Sequence, residues 1–321
     1  MSYYHITSRR KVRRGFTLIE LLVVIVIIGI LASLMLVGGN EIRKSVRRGI
    51  IKVQIAEVEM ALTNYQNKYG EYPPDFSDEA VVMRHVRKRW PNWQGGPKDF
   101  DEFCRMVLDS AGYDFHVLTA AELPGADPCE YKSLGAHLGA LAFWLGGIPD
   151  SNGLLNGFSA DVSDPLGLNS GSITQRDKDS QFMELTIGQN CEIVDGLPVI
   201  TANGFPIAYF KPNAAGKYTE KAFPEEAQCV HVSFPSHAGW DELGIAQPYA
   251  KKPAPTADVA EWHNPKSYQL IHPGLDGNFG GDDHDAIRVA NPGNDDFTNC
   301  TTRDRDNQTN FGGTTIESAG K

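Results

Sequence analysis

The run Arg13-Arg14-Gly15-Phe16-Thr17-Leu18-Ile19-Glu20-Leu21-Leu22 decides how this chain is read. Five basic residues (Arg9, Arg10, Lys11, Arg13 and Arg14) and no acid precede Phe16. From Phe16 to Val37 the sequence is then apolar for 22 residues with a single charge, Glu20. About 20 such residues span a bilayer core as a helix. A secretory signal peptide has a shorter apolar region, roughly 7–15 residues, closed by a small-residue cleavage site. This run is longer and flows into a further helical pattern, so it reads as an anchor.

A plain anchor explains everything except Glu20. A charged side chain at the centre of a membrane helix costs about 2.5–3.5 kcal/mol on insertion scales, and such a residue marks function by default and needs a partner. Cleavage between Gly15 and Phe16 creates one. The new α-amino group on Phe16 is a cation, and Glu20 lies four residues further along the helix. The Phe16 amine of a neighbouring subunit would neutralise Glu20, an attraction strengthened by low dielectric. That pairing would set the axial register between subunits.

Gly15-Phe16-Thr17-Leu18-Ile19-Glu20 resembles the prepilin peptidase signature of type IV pilins and type II secretion pseudopilins. The resemblance implies that Gly15 is the last leader residue, that Phe16 becomes the methylated mature N-terminus, and that Glu20 directs assembly. One departure stands out. Many relatives carry a proline near the twenty-second mature residue, whereas this chain has Val37 followed by Gly38-Gly39. Glycine costs about 1 kcal/mol in a helix interior, so the pair is expected to loosen the helix there. Basic residues also follow the apolar run closely, at Arg43, Lys44, Arg47, Arg48 and Lys52. The positive-inside rule is therefore nearly undecided. Only the resemblance places the leader in the cytoplasm and the head on the periplasmic side of the inner membrane, from which the subunit is extracted into a filament.

Beyond the glycines, Ile51, Ile55, Val58, Leu62, Tyr65 and Tyr69 recur at spacings of three and four and form one amphipathic stripe. Gly70 and Tyr72-Pro73-Pro74 end the helix. The predicted helix, 16–69, is about 80 Å long at 1.5 Å per residue. The Tyr-Pro just past it is similar to the major pseudopilin.

The expected fold class is α+β, with the long helix packed on an antiparallel sheet and a large, mostly helical or loop insertion. The expected segments are a leader at 1–15, a transmembrane helix at 16–38, an amphipathic stem at 39–70, the insertion at 71–200, and a β-rich head with an acidic loop at 201–321. Short helices are predicted over 78–90, 101–111 and 133–145, with a Gly-, Ser- and Asn-rich loop over 152–172. Strands are predicted at 181–187, 197–201, 207–211, 230–234 and 268–272, each bounded by turn residues. Residues beyond Thr301 are polar and are expected to form a mobile tail.

Charge excludes one class of partner. The chain's 30 basic residues fall to 25 once the leader's five are removed, against 40 acidic ones, a net −15. Phosphate contacts need Lys and Arg, so nucleic-acid binding by the head is not expected. The five cysteines include no CxxC pair, which argues against zinc-ribbon and thioredoxin chemistry. Outside the cytoplasm disulfides become possible, and proximity suggests Cys104–Cys129 and Cys191–Cys229.

The segment His272-Pro273-Gly274-Leu275-Asp276-Gly277-Asn278-Phe279-Gly280-Gly281-Asp282-Asp283-His284-Asp285 is a strand end running into a Gly- and Asp-rich loop. Calcium takes six to eight oxygens from carboxylates and carbonyls of such loops. It is not an EF-hand, because Ile287 stands where the twelfth-position Glu belongs. The loop resembles the C-terminal calcium loop of major type II pseudopilins, which implies Asp276, Asp282, Asp283 and Asp285 as calcium ligands. A solvated turn cluster is the competing reading, since Asp, Asn and Gly are ordinary turn formers.

No H-E-x-x-H, G-x-S-x-G or Walker loop occurs, and no G-x-G-x-x-G follows a strand, so no enzyme is expected. The leading expectation is a structural subunit of a type II secretion pseudopilus. Its expected partners are prepilin peptidase, other pilin-like subunits met through the N-terminal helix, the inner-membrane assembly platform and membrane lipid. Two alternatives remain: a type IV pilus or DNA-uptake minor or tip pilin with a ligand-binding head, and a membrane-anchored extracytoplasmic binding protein.

Overall fold

The computed structural model describes residues 16–110, 139–149, 154–169, 175–194, 197–219, 232–233, 240, 242–280, 286–291, 296–312 and 315–316. Within these, side chains are left out at 34–41, 101, 108–110, 197 and 233. The chain divides into two units, Met1–Val46 and Arg47–Lys321.

Helix α1 covers Leu18–Tyr69, 52 residues. Its backbone stays helical through Gly38-Gly39, so the expected loosening there is not observed. Propagation adds one hydrogen bond per residue to an existing helix, and strong formers on both sides carry it over two glycines. At the other end Gly70 adopts φ +79°, and its N–H donates to the Gln66 carbonyl at 2.7 Å. That left-handed stop suits glycine, which has no Cβ to clash. Over the described residues no helix is long and apolar enough to cross a membrane.

In the first unit the apolar side chains of α1 lie open, from Val24 at 44% exposed to Leu18 at 83%. The second unit is an α+β body. There Ile51, Ile55, Val58, Leu62 and Tyr65 are at most 4% exposed, and they enter one core with helices α2 (Glu79–Arg89) and α3 (Phe100–Ser110). Asp78 caps α2, its carboxylate accepting from the Val81 N–H at 3.1 Å. A further helical segment at 139–146 contributes Leu141, Phe143 and Trp144 to the same core. The indole N–H of Trp144 donates to the Pro74 carbonyl at 3.1 Å. Residues drawn from 71–200 thus share their core with the stem and do not stand apart from it.

The strands are short: β1 (Phe158–Ser159), β2 (Arg176–Asp177), β3 (Cys191–Val194), β4 (Leu197–Ala202), β5 (Phe205–Pro206), β6 (Ala208–Phe210), β7 (Val232–Ser233), β8 (Ile245–Ala246), β9 (Gln269–His272) and β10 (Gln308–Thr309). They pair antiparallel as β1-β2, β3-β4-β5, β7-β8 and β10-β9-β6. Side chains alternate across a strand, and β9 uses both faces. Leu270 joins the core of α1 while Ile271 joins a second core with Phe210, Tyr249, Trp262 and Phe279. The His272 ring bonds the Ala202 carbonyl at 2.8 Å and ties β9 to β4.

Three expectations change. The strand predicted at 181–187 is a chain with isolated bridges, Leu155 to Leu185 and Ile187 to Cys191, because Phe182 and Met183 turn their N–H groups to the Leu145 carbonyl instead of to a neighbouring strand. The loop predicted over 152–172 holds β1. The described residues of the tail predicted beyond Thr301 are folded: β10 pairs with β9, and Asp304, Asn307, Gln308 and Ile316 are at most 2% exposed. Its polarity misled because Asp304 and the Asn307 amide nitrogen are buried against polar partners from elsewhere in the chain. Cys191 is a buried free thiol, pushed up to about 12 by burial. Its expected partner Cys229, and Cys129, lie outside the described residues.

Candidate functional site

Two places were singled out by sequence, and they differ in how much of each the structure describes. At the N-terminus Gly15 lies outside the described residues. Phe16 is 77% exposed and precedes α1. Glu20 sits in the first turn of α1 and folds back on Thr17. Its Oε2 accepts from the Thr17 N–H and the Thr17 hydroxyl, both at 2.8 Å, and its own N–H donates to Thr17 Oγ1 at 3.3 Å. This reciprocal arrangement is a capping box, in which a Thr and the acid three residues on satisfy each other's orphan N–H groups. Thr17 is the residue that sequence reasoning passed over, although the T-x-x-E spacing signals it.

The box gives Glu20 a definite position on a helix end, one turn from the point where cleavage would expose an amine. It also satisfies a carboxylate that has no other described partner within the chain. Around it the helix presents large apolar side chains: Ile19 is 70% exposed and Leu22 52%. The chemistry on offer is a single carboxylate in an apolar surface, suited to meeting a cation presented by another apolar helix.

At the C-terminal loop, Asp276 follows β9 and is exposed. Its Oδ1 accepts from the Asn278 N–H at 3.0 Å. Burial of its surroundings raises its carboxyl above the usual range, and the nearby Asp306 carboxylate adds to this. Asp306 is itself committed, accepting from Arg48 at 3.0 Å and from the Leu275 N–H at 2.6 Å. Asp282, Asp283 and Asp285 lie outside the described residues, so of the four predicted ligands the structure describes Asp276. Among the described residues no three His, Cys, Asp or Glu side chains group as a metal site.

A third cluster was not foreseen. His85 is buried on α2, its Nε2 2.6 Å from the Tyr65 hydroxyl and its Nδ1 2.9 Å from Glu71 Oε1. Burial pushes this histidine down to about 4 despite the carboxylate beside it. Arg89 lies among the rings of Tyr65, Tyr69, Trp90, Trp144 and Phe158, with its guanidinium carbon 4.4–5.4 Å from each ring centre. Tyr65 is fully buried, which suits a structural joint between stem and α2 more than an open reactive site.

The family profile described as the prokaryotic N-terminal methylation motif matches residues 10–36. The chain is similar to type II secretion system core protein G of Pectobacterium carotovorum subsp. carotovorum, at 35% identity over 116 residues, which is 34% of this chain and 69% of that protein. It is also similar to type II secretion system core protein G of Klebsiella michiganensis, at 44% identity over 68 residues, covering 20% of this chain and 46% of that protein. No solved structure matches the chain. A methylation motif at the start of α1 and 35% identity over 69% of a relative's length carry one conclusion: the chain belongs to the family of type II secretion system core protein G.

Proposed function

We propose that this protein is a structural subunit of a type II secretion pseudopilus, cleaved between Gly15 and Phe16 by prepilin peptidase, held in the inner membrane by its first helix, and assembled through that helix. One observation carries the reading: a helix that buries its apolar stripe from Ile51 to Tyr65 leaves its N-terminal apolar residues open around one carboxylate. The sequence extends that apolar run from Phe16 to Val37, 22 residues, or about 33 Å as a helix, against a hydrocarbon core of about 30 Å. The polar body from Arg47 onward then lies on the extracytoplasmic side. Glu20, placed by Thr17 before assembly, exchanges that contact for the Phe16 amine of a neighbouring subunit. Mass spectrometry of the N-terminus in cells with active prepilin peptidase tests this. A mature chain starting at Phe16 is expected; an uncleaved chain, or a start elsewhere, overturns the processing step.

Calcium at the C-terminal loop is a second part of the proposal, supported by one observation. Asp276 is a carboxylate raised by its surroundings and by Asp306, and a divalent cation would relieve both effects. Asp276, Asp282, Asp283 and Asp285 would hold the ion through hard oxygen donors, and the ion would supply the countercharge those four acids need.

A further inference from the structure

Just past the Asp276 turn, the chain bends around a buried arginine. Arg288 Nη1 donates to the Phe279 carbonyl at 2.9 Å and to Asp304 Oδ1 at 2.9 Å, and Nη2 donates to the Gly280 carbonyl at 3.3 Å. Arg288 is 1% exposed and Asp304 is fully buried. The remaining lone pairs of Asp304 are also engaged. Oδ1 accepts from the Tyr249 hydroxyl at 3.1 Å, and Oδ2 accepts from the N–H and hydroxyl of Thr301, both at 2.7 Å. The Phe279 carbonyl takes a second bond from Asn307 Nδ2 at 3.0 Å, and the Gly280 carbonyl one from the Ile245 N–H at 3.3 Å.

A carboxylate and two backbone carbonyls converging on one positive centre is the donor set that a hard metal ion gathers in a Gly-rich loop. Here the centre is a guanidinium, whose planar fork reaches all three acceptors at once. Glycine is required at position 280 for the same closure. Its φ is +83°, and a methyl group there would overlap the Asp304 carboxylate. We infer that Arg288 is the cation about which the stretch Asp276–Gly280 closes, so that this part of the loop is held by the protein's own charge and stays folded without a divalent ion. The closure draws in β8 through Ile245 and the C-terminal segment through Asp304 and Asn307. It thereby explains why a stretch as polar as 301–309 is folded. The inference concerns the base of the loop and stands whether or not calcium binds at its carboxylates.

Hydrogen exchange on the full chain in detergent micelles tests it, read on peptides covering 276–280 and 301–307. In the unmutated chain both segments are expected to stay protected in chelator, exchanging at least about tenfold slower than the unfolded chain, whatever stability calcium adds. Arg288→Met is expected to speed exchange at both segments by at least about tenfold in calcium and chelator alike, because removing one partner leaves the other charge buried and unpaired. Arg288→Lys keeps the charge but not the fork, and an intermediate loss is expected. Loss of protection in the unmutated chain on chelation overturns the inference. So does full protection in Arg288→Met, or in Arg288→Lys. If Arg288→Met does not fold, the chelator comparison on the unmutated chain decides by itself.

Discussion

Two stretches of α1 carry large apolar side chains and meet opposite fates. From Phe16 to Leu31 the large apolar side chains are 44–83% exposed, while from Ile51 to Tyr65 the apolar stripe is 0–4% exposed. Helix formation does not separate them, since both lie in one continuous helix. What separates them is supply. The second stretch meets Trp144, Ile200, Tyr209 and Leu270 of its own chain in a common core. The first is charged nowhere but at Glu20. A large apolar surface left open marks an interaction with membrane or protein. The comparison teaches that a helix can be specified locally while its covering is assigned elsewhere, to the rest of the chain in one case and to other molecules in the other.

The open stretch is tested at its carboxylate. Glu20→Val should leave insertion and cleavage intact while lowering the amount of subunit recovered in filaments at least about tenfold, or about 1.4 kcal/mol. Thr17→Val sharpens the result. It removes the hydroxyl of the capping box, worth about 1 kcal/mol of helix-end stability, but leaves the carboxylate. If Glu20 works between subunits, Thr17→Val assembles; if capping is its whole role, the two variants fail together.

The covered stretch is tested by deletion of volume. Leu62→Ala removes a fully buried side chain and should cost about 2–5 kcal/mol in denaturant unfolding of the full chain. Val53→Ala, one face away and 58% exposed, should cost less than about 0.5 kcal/mol. Equal losses would erase the distinction between the two faces of the helix.

Calcium should raise the melting temperature of the full chain relative to chelator, by the equivalent of about 2.7 kcal/mol at a hundredfold excess over the dissociation constant. Asp282→Ala with Asp283→Ala should abolish that difference. An equal melting temperature in calcium and in chelator for the unmutated chain would return the loop to a solvated acidic turn.

A smaller effect follows from the buried histidines. Burial holds His85 and His272 down to about 4, against an ordinary value near 6.5. Between those two values the unfolded chain binds protons that the folded chain does not. Stability should therefore be complete above pH 6.5, fall as pH drops toward 4, and level off below that, with each histidine contributing on the order of 1–3 kcal/mol. His85→Gln should flatten part of that slope in urea titrations taken across the range. An unchanged slope would mean that His85 takes up its proton at the same pH in the folded and the unfolded chain, and that burial does not lower it.

The N-terminal helix was legible in the sequence because its signals are local. An uninterrupted apolar run, a 3.6-residue stripe, a glycine followed by prolines and a T-x-x-E spacing each act within a few residues of themselves. The antiparallel strands at β4, β6 and β9 were legible for the same reason. What only the tertiary structure decided is the set of buried polar groups. Nothing in the hydropathy of Arg288 and Asp304, or of Asn307 and Gln308, separates them from solvent-facing residues, and the tail accordingly read as mobile. A charge becomes part of a core only when its partners arrive from elsewhere in the chain. Asp304 is satisfied by Tyr249 from 55 residues away and by Arg288 from 16. Hydropathy measures a residue's affinity for water, whereas burial of a charge depends on what replaces that water.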